Sequence, residues 1–164
     1  MSDHVPAETG PLIDHIIRRY HDTHRRQLPD LADLARKVET VHFGDPDVPE
    51  GLNRHLEGMV GTLEVHMKKE ELILFPALRG GRTEGVEGPI AVMRADHDDH
   101  AADVATIRAL TADLTLPDGA CRTWSALYDG LREFLDDLET HIRLENEVLF
   151  PRFEGSSSTH APLR

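Results

Sequence analysis

The chain has 164 residues, a length typical of one domain. Its formal net charge of −12 argues against nucleic-acid binding, because neutralising phosphates requires a basic face. Its single cysteine, Cys121, excludes an internal disulfide and any Cys-based zinc or iron–sulfur site. No apolar run reaches the ~20 residues of a membrane span, and MSDHVPAETG does not resemble a signal peptide, so we expect a soluble cytoplasmic protein without membrane or nucleic-acid partners.

Glycine and proline divide the chain into four long segments, each with apolar residues at helical spacing. The segments run from Pro11 to about Phe43, from about Glu50 to Leu78, from Pro89 to Leu114 and from about Cys121 to Phe150. Their short connections predict an all-α fold, an antiparallel up-down-up-down four-helix bundle. We expect residues 1–10 to be a flexible N-terminus, 11–153 the bundle and 154–164 a disordered tail.

The first segment places His21 and His24 on its apolar stripe. Pro29 follows and should kink the helix, because a proline ring clashes with the preceding turn while the stripe keeps its phase on both sides. His42 continues the stripe, but in a continuous helix it lies about 30 Å from His21. We therefore leave His42 outside the predicted site unless the kink becomes a hairpin.

The second and fourth segments repeat one phrase, HMKKEELILFP from His66 and HIRLENEVLFP from His141, 75 residues apart. In each, a glutamate follows the histidine four residues later, as Glu70 and Glu145, so both side chains project from one helix face. The same stripes continue to Ile73 and Val148 and leave out the neighbours Glu71 and Glu147.

The third segment places His97 and His100 on its stripe, in HDDH, at the positions that His21 and His24 occupy in HDTH of the first segment. The chain thus repeats a module of one helix with a single central histidine and one helix with His-x3-Glu. His24 and His100 lie one turn from these central histidines. They are hydrogen-bonding partners of ligands, proton carriers, extra ligands or packing residues, and the sequence leaves these alternatives open.

Apart from His24, His42 and His100, the predicted buried stripes carry six polar residues, at one level of the bundle: His21, His66, Glu70, His97, His141 and Glu145. A buried carboxylate costs several kcal/mol unless positive charge balances it, and no lysine or arginine shares these stripes. A single such histidine is more often a hydrogen-bonded core residue, but the repeated set indicates metal. Four histidines and two glutamates suit two ions, with two histidines on each and both carboxylates bridging.

Imidazole and carboxylate suit iron, zinc, copper or manganese. Bridging carboxylates in a four-helix bundle favour a pair of redox metals. Such a site would bind a small ligand such as O₂ or NO. A structural zinc pair is the alternative at this point.

The stretch PLIDHIIRRYHDTHRRQLPDLADLARKVETVHFGDPDVPEGL, with HMKKEELILFP, HDDH and HIRLENEVLFP, resembles the iron–sulfur cluster repair di-iron proteins, a hemerythrin-like family. The resemblance implies a non-haem di-iron centre with an oxo bridge and two bridging glutamates, held by the six residues named above. It also implies repair of iron–sulfur clusters damaged by nitric oxide or peroxide, with iron donation as one route and iron–sulfur proteins or their assembly machinery as partners. His42 matches a VH position of the family.

Members of this family usually carry a small N-terminal domain with a cysteine pair, whereas here the bundle begins almost at once, so we do not expect thiol-assisted delivery through such a domain. The leading hypothesis is a di-iron stress protein that binds or reacts with NO or O₂ and supports cluster repair. The main alternative is a hemerythrin-like carrier or sensor of O₂ or NO. An oxidase or peroxidase and a purely structural metal bundle are further alternatives, and whether substrate turnover occurs is left open.

Overall fold

The computed structural model describes residues 4–158. Four long helices span residues 9–41 (α1), 52–79 (α2), 87–110 (α3) and 122–149 (α4), and a short helix, Pro151–Ser158 (α5), follows α4. Residues 4–158 contain no strand, so the predicted all-α class is confirmed. Within the same range, no helix is both long enough and apolar enough to cross a membrane.

Two apolar clusters fill the bundle and establish the direction of its helices. The larger cluster takes residues from each long helix, among them Leu28, Leu63, Ile107 and Phe134. The smaller cluster does the same, with Tyr20, Phe75, Met93 and Leu149 among its members. Along the chain, the smaller cluster comes first in α1 and α3 and second in α2 and α4. This alternation is the predicted up-down-up-down arrangement.

Three of the four long helices contain a π-helical turn: Ile17–His21 in α1, Glu70–Leu74 in α2 and Leu144–Leu149 in α4. Their other segments are α-helical: Thr9–Ile16, Asp22–Val41, Leu52–Lys69, Phe75–Arg79 and Arg122–Arg143. A π turn takes one residue more than an α turn and rotates the chain that follows. The prediction that Ile73 and Val148 continue the buried stripes is therefore wrong. They are 67% and 37% exposed, whereas Leu74 and Leu149 are buried.

Helix α3, Glu87–Leu110, is α-helical throughout and ends four residues before the predicted Leu114. The cause is local, because Ala112, Asp113 and Leu114 have φ angles of 50°, 56° and 59°, in the left-handed region. The Thr111 hydroxyl supports this turn by accepting a hydrogen bond of 3.0 Å from the Leu114 N–H. Leu114 still packs into the larger cluster, although it lies beyond the helix.

Pro29 does not break α1, since Asp22–Val41 is one α-helix with the proline inside it. His42 therefore lies at the far end of α1, where its ring centroid is 4.7 Å from that of Trp124. Its Nε2 atom is 3.2 Å from the Cys121 Sγ atom. His42 thus lies away from the six predicted site residues, as expected for a continuous helix.

The helical region extends beyond the predicted bundle at both ends. Helix α1 begins at Thr9, within the predicted flexible N-terminus. Helix α5 reaches Ser158, within the predicted tail. Residues 1–3 and 159–164 lie outside the described residues. For them, the flexible N-terminus and the disordered tail remain predictions.

Candidate metal centre

A polar layer separates the two apolar clusters, and it contains all six residues that the sequence placed on the buried stripes. None of the six is more than 3% exposed. They form two groups, His21, Glu70, His141 and Glu145 in one and His66, Glu70, His97 and Glu145 in the other; within each group, one ligand atom per residue lies within 4.8 Å of the others. Both carboxylates belong to both groups. The layer thus offers two histidines to each of two ions and two carboxylates to share.

The distances around Glu145 suit donors arranged about common cations. Its Oε2 atom is 2.7 Å from His141 Nε2 and 3.7 Å from His21 Nε2, and its Oε1 atom is 2.9 Å from His97 Nε2. Two donor atoms that each lie ~2.1 Å from one ion are roughly 3.0–3.4 Å apart. The two oxygens of Glu145 therefore face different histidine pairs, as a bridging carboxylate must.

Glu70 has the complementary position on α2. Its Oε1 atom lies 3.2 Å from His21 Nε2 and 3.4 Å from His66 Nε2, which belong to different groups. Glu70 begins one π turn, Glu145 lies within another, and His21 ends the third. Because π turns redirect side chains without breaking a helix, they bring these ligand candidates to one level of the bundle.

Several polar atoms of this layer are buried and have no hydrogen-bond partner among the described residues. They are Nε2 of His21, His66 and His97, both carboxylate oxygens of Glu70, and Oε1 of Glu145. A buried polar atom left unpaired costs about 1–3 kcal/mol, so a cluster of six is costly unless something else satisfies it. Cations between the imidazoles and carboxylates would satisfy all six, and the donor set therefore fits a pair of metal ions.

Each of the four central histidines directs Nε2 inward and uses Nδ1 for an outer partner. The partners are Glu71 Oε2 at 2.7 Å from His21, Asp96 Oδ2 at 3.1 Å from His66, Asn146 Oδ1 at 2.8 Å from His97 and His24 Nε2 at 3.0 Å from His141. Carboxylate and amide oxygens accept only, so they hold the hydrogen on Nδ1 and leave the Nε2 lone pair facing the centre.

Three of these outer partners were missed by the sequence reasoning, namely Glu71, Asp96 and Asn146. Glu71 was set aside because it falls off the stripe of α2, but a residue off the stripe contacts the neighbouring helix. Arg25 Nη1 lies 2.9 Å from the Glu71 carboxylate and fixes it further. The signal was present in the repeated phrase, which places a polar acceptor directly after each central glutamate.

His24 and His100 occupy equivalent positions but differ in their contacts. His24 contacts the Nδ1 atom of His141. His100 packs its ring edge-on against His66, with centroids 4.9 Å apart, and its Nε2 atom has no partner among residues 4–158. Since Asp96 already holds His66 Nδ1, only His24 backs a central histidine.

Without metal, protons balance the two carboxylates. Burial opposes protonation of His66, but the carboxylate of Glu70, whose Oε1 atom lies 3.4 Å from His66 Nε2, and the charge of Glu145 outweigh burial and raise its pKa to about 9. The pKa values of His21 and His97 are also raised, against burial, by the same glutamates. Burial lowers the pKa of His141. Metal binding must therefore displace protons from this layer.

An open groove of about 670 Å³ lies between α2 and α3, beside the His66 half of the centre. His66 and His100 line its inner side, together with Lys69, Asp96 and Asp103. His66 and His97 are 2% and 3% exposed, whereas His21 and His141 are 0% and 1% exposed, so the His66 half lies slightly closer to solvent. A small molecule would reach the centre most directly along this groove.

Comparisons with known proteins agree with this geometry. A family model described as the hemerythrin HHE cation binding domain matches residues 12–153. A protein of Dickeya chrysanthemi (strain Ech1591), named iron–sulfur cluster repair protein YtfE, is 50% identical over 150 residues, which cover 92% of this chain and 68% of the relative. Proteins with the same name from Salmonella paratyphi B and Salmonella newport are 50% identical over 141 residues, covering 86% of this chain and 64% of each relative. The chain thus spans about two thirds of the length of these relatives.

Proposed function

This chain belongs to the hemerythrin HHE cation-binding domain family, and from that premise we propose that it is a di-iron protein that supports the repair of iron–sulfur clusters damaged by nitric oxide or peroxide. The observation that carries the proposal is the pair of four-residue groups that share Glu70 and Glu145. The names of the relatives, iron–sulfur cluster repair proteins, supply the biological direction.

The proposed ligands divide into two sets. His21 and His141 would hold one ion, His66 and His97 the other, and both glutamates would bridge. The donors are imidazole nitrogens and carboxylate oxygens without thiolate, a set that suits iron in a helical bundle. When bound, a pair of iron ions would supply redox chemistry and an open position for a small ligand such as NO or O₂.

The chain's own residues would control this centre in three ways. The apolar clusters on both sides exclude water and strengthen the electrostatic interactions of the layer. The outer partners of Nδ1 hold each imidazole in the orientation that presents Nε2. The groove beside His66 and Asp96 would admit a small molecule and release iron from the half of the centre closer to solvent. Iron–sulfur proteins or their assembly machinery in the cytoplasm would receive that iron.

The proposal is tested by purifying the chain without oxygen, counting iron per chain and recording the visible spectrum before and after NO. We expect about two iron ions per chain, the absorption of an oxo-bridged ferric pair and a new spectrum when the reduced form meets NO. An NO-inactivated iron–sulfur dehydratase should then regain activity faster with the iron-loaded chain than with an equal concentration of ferrous salt.

Two other outcomes would refute the di-iron centre or the repair function separately. Zinc alone, or no metal, would refute the di-iron proposal. Two iron ions with reversible NO or O₂ binding, but no reactivation beyond the ferrous salt, would refute the repair function and favour a carrier or sensor. The variant Glu145→Gln should lose both the iron and the reactivation, which would link the activity to this layer.

A further inference from the structure

We propose that His24, Gln27 and Asp137 are positioning residues that fix which ring nitrogen of His141 faces the metal centre. The inference rests on the proposed metal centre and adds roles for three residues outside the ligand set. Their side chains connect His141, which is 1% exposed, to the protein surface through consecutive hydrogen bonds.

The connection begins at Arg19, whose side chain is about one third exposed. Arg19 Nη2 donates to Asp137 Oδ1 at 3.0 Å, and Gln27 Nε2 donates to Asp137 Oδ2 at 3.0 Å. The Gln27 carbonyl oxygen, Oε1, lies 3.4 Å from His24 Nδ1. His24 Nε2 in turn lies 3.0 Å from His141 Nδ1. Four contacts thus join α1 and α4 from the surface to the centre.

The outer end of this series of hydrogen bonds determines which atom donates and which accepts in each of them. Guanidinium groups only donate and carboxylates only accept, so the Gln27 amide must turn its NH₂ group to Asp137 and its carbonyl oxygen to His24. A carbonyl oxygen only accepts, so His24 must carry its hydrogen on Nδ1. His24 is fully buried and its ring nitrogens contact Gln27 and His141, neither of which carries a negative charge, so the ring is neutral and Nε2 accepts. The donor to that nitrogen is His141 Nδ1.

This direction of donation determines which nitrogen of His141 is free to bind a metal ion. With its hydrogen on Nδ1, His141 presents an Nε2 lone pair 2.7 Å from Glu145 Oε2, which is also an acceptor. Two acceptors at this distance require a cation between them or beside them. In the opposite tautomer, His141 would donate from Nε2 to Glu145 and could not bind a metal through that atom. The series of hydrogen bonds that begins at Arg19 disfavours that tautomer and leaves His141 Nε2 available for metal binding.

The pseudo-equivalent position on α3 provides a matched control. His100 is buried like His24, at 4% and 0% exposure, but the Nδ1 atom of His66 contacts Asp96 instead of His100. Replacing either histidine with leucine makes the same chemical change at the same level of the bundle. Only the change at His24 removes the partner of a central histidine.

The first test is anaerobic titration with ferrous iron in competition with a chelator. His24→Leu should weaken binding of one of the two ions by about 10- to 100-fold. His24→Gln should restore most of that loss, because its Oε1 can accept from His141 Nδ1. His100→Leu should bind as wild type does. Equal affinity of His24→Leu and wild type, or equal losses in the two leucine variants, would overturn the inference. A wild-type chain that binds no iron would instead refute the proposed function.

The second test reads the ring nitrogens directly and needs no activity. In ¹⁵N-labelled protein loaded with diamagnetic zinc, NMR should show His24 with its hydrogen on Nδ1 and His141 bound through Nε2. Asp137→Asn, which keeps the shape but can donate, should abolish the single tautomer of His24. This variant serves if His24→Leu fails to fold. A wild-type His24 with its hydrogen on Nε2, or an unchanged spectrum in Asp137→Asn, would overturn the inference.

Discussion

Glu71 and Asn146 occupy equivalent positions in the two halves of the bundle, and each accepts a hydrogen bond from Nδ1 of a central histidine, His21 and His97 respectively. The two positions differ in charge, because one partner is a carboxylate and the other an amide. The remaining two central histidines have one carboxylate partner and one imidazole partner. Each group of four therefore contains one histidine backed by a carboxylate and one backed by a neutral group.

This pairing predicts opposite effects of two substitutions. Glu71→Gln should weaken ferrous binding by about tenfold, because a carboxylate partner makes the His21 imidazole a more basic metal ligand than an amide partner does. Asn146→Asp should tighten binding through His97 for the same reason. Arg25 keeps its two-oxygen contact with Glu64, so the first variant does not leave it unpaired. Chelator competition measures both affinities, and a change in the same direction for both variants would contradict the prediction.

Glu145→Gln should reduce the metal content from about two ions to fewer than one. The substitution keeps the side-chain volume but removes the charge shared by both groups. In wild type, free metal at 100 times its Kd stabilises the fold by about 2.7 kcal/mol per site, and this gain should disappear. Thermal unfolding with and without added iron measures it. Glu147→Gln, at an exposed position on the same π turn, is the control and should keep the full gain.

The sequence predicted the bundle and the central residues because both depend on regular spacing. Helical period identified four helices, and the repeat of His66–Glu70 as His141–Glu145 identified the layer where they meet. Burial of carboxylates without lysine or arginine then indicated metal. These inferences need only one helix at a time and the physical cost of burial.

The outer partners and the π turns could not be obtained in this way. Whether Glu71 reaches His21 depends on how α1 and α2 pack, and the period of one helix does not contain that relationship. The π turns add one residue to a helix, although none of them contains a proline or a glycine. Ile73 and Val148 were placed on the wrong face for this reason, although the central residues before them were placed correctly.

The stability of the metal-free protein should be greatest near pH 6.5. His66 has a pKa raised to about 9, so its contribution is present below pH 6.5 and is lost as the pH rises toward 9. Burial, and to a smaller extent the charges of nearby histidines, lower the pKa of His24 to about 2 and that of His100 to about 4. Because both groups are held neutral in the fold, stability also falls as the pH drops below 6.5. Each such group changes the free energy of unfolding by about 1.4 kcal/mol per pH unit within its window.

Urea unfolding of chelator-treated protein at pH 5.5, 6.5 and 8.5 would measure this profile. His66→Gln should flatten part of the alkaline side, because it removes one of the histidines whose pKa is raised. The metal-loaded protein should not lose stability toward pH 8.5, because metal binding is favoured as protons leave the histidines. A metal-free protein that gains stability between pH 6.5 and 8.5 would contradict the assignment.

Deleting Leu72 should separate the role of a π turn in metal binding from its role in folding. Leu72 is 71% exposed and lies within Glu70–Leu74, so its removal can convert the π turn into an α turn while Leu74 and Phe75 keep their place in the smaller cluster. Stability should change by less than about 1 kcal/mol. The orientation of Glu70 depends on the π turn, and ferrous binding should weaken at least about tenfold.

The matched control is deletion of Val92, which is 49% exposed on α3, a helix that is α-helical over its whole described length. With no extra residue to remove there, the deletion rotates the buried Ile90, before the deleted position, relative to Met93 and His97 after it, and should unfold the bundle or greatly lower its Tm. Chemical denaturation and chelator competition on the two deletion variants provide the comparison. If the Leu72 deletion is as destabilising as the Val92 deletion, the π turn is a requirement of the fold. If it leaves iron affinity unchanged, the π turn does not orient Glu70 for the metal centre.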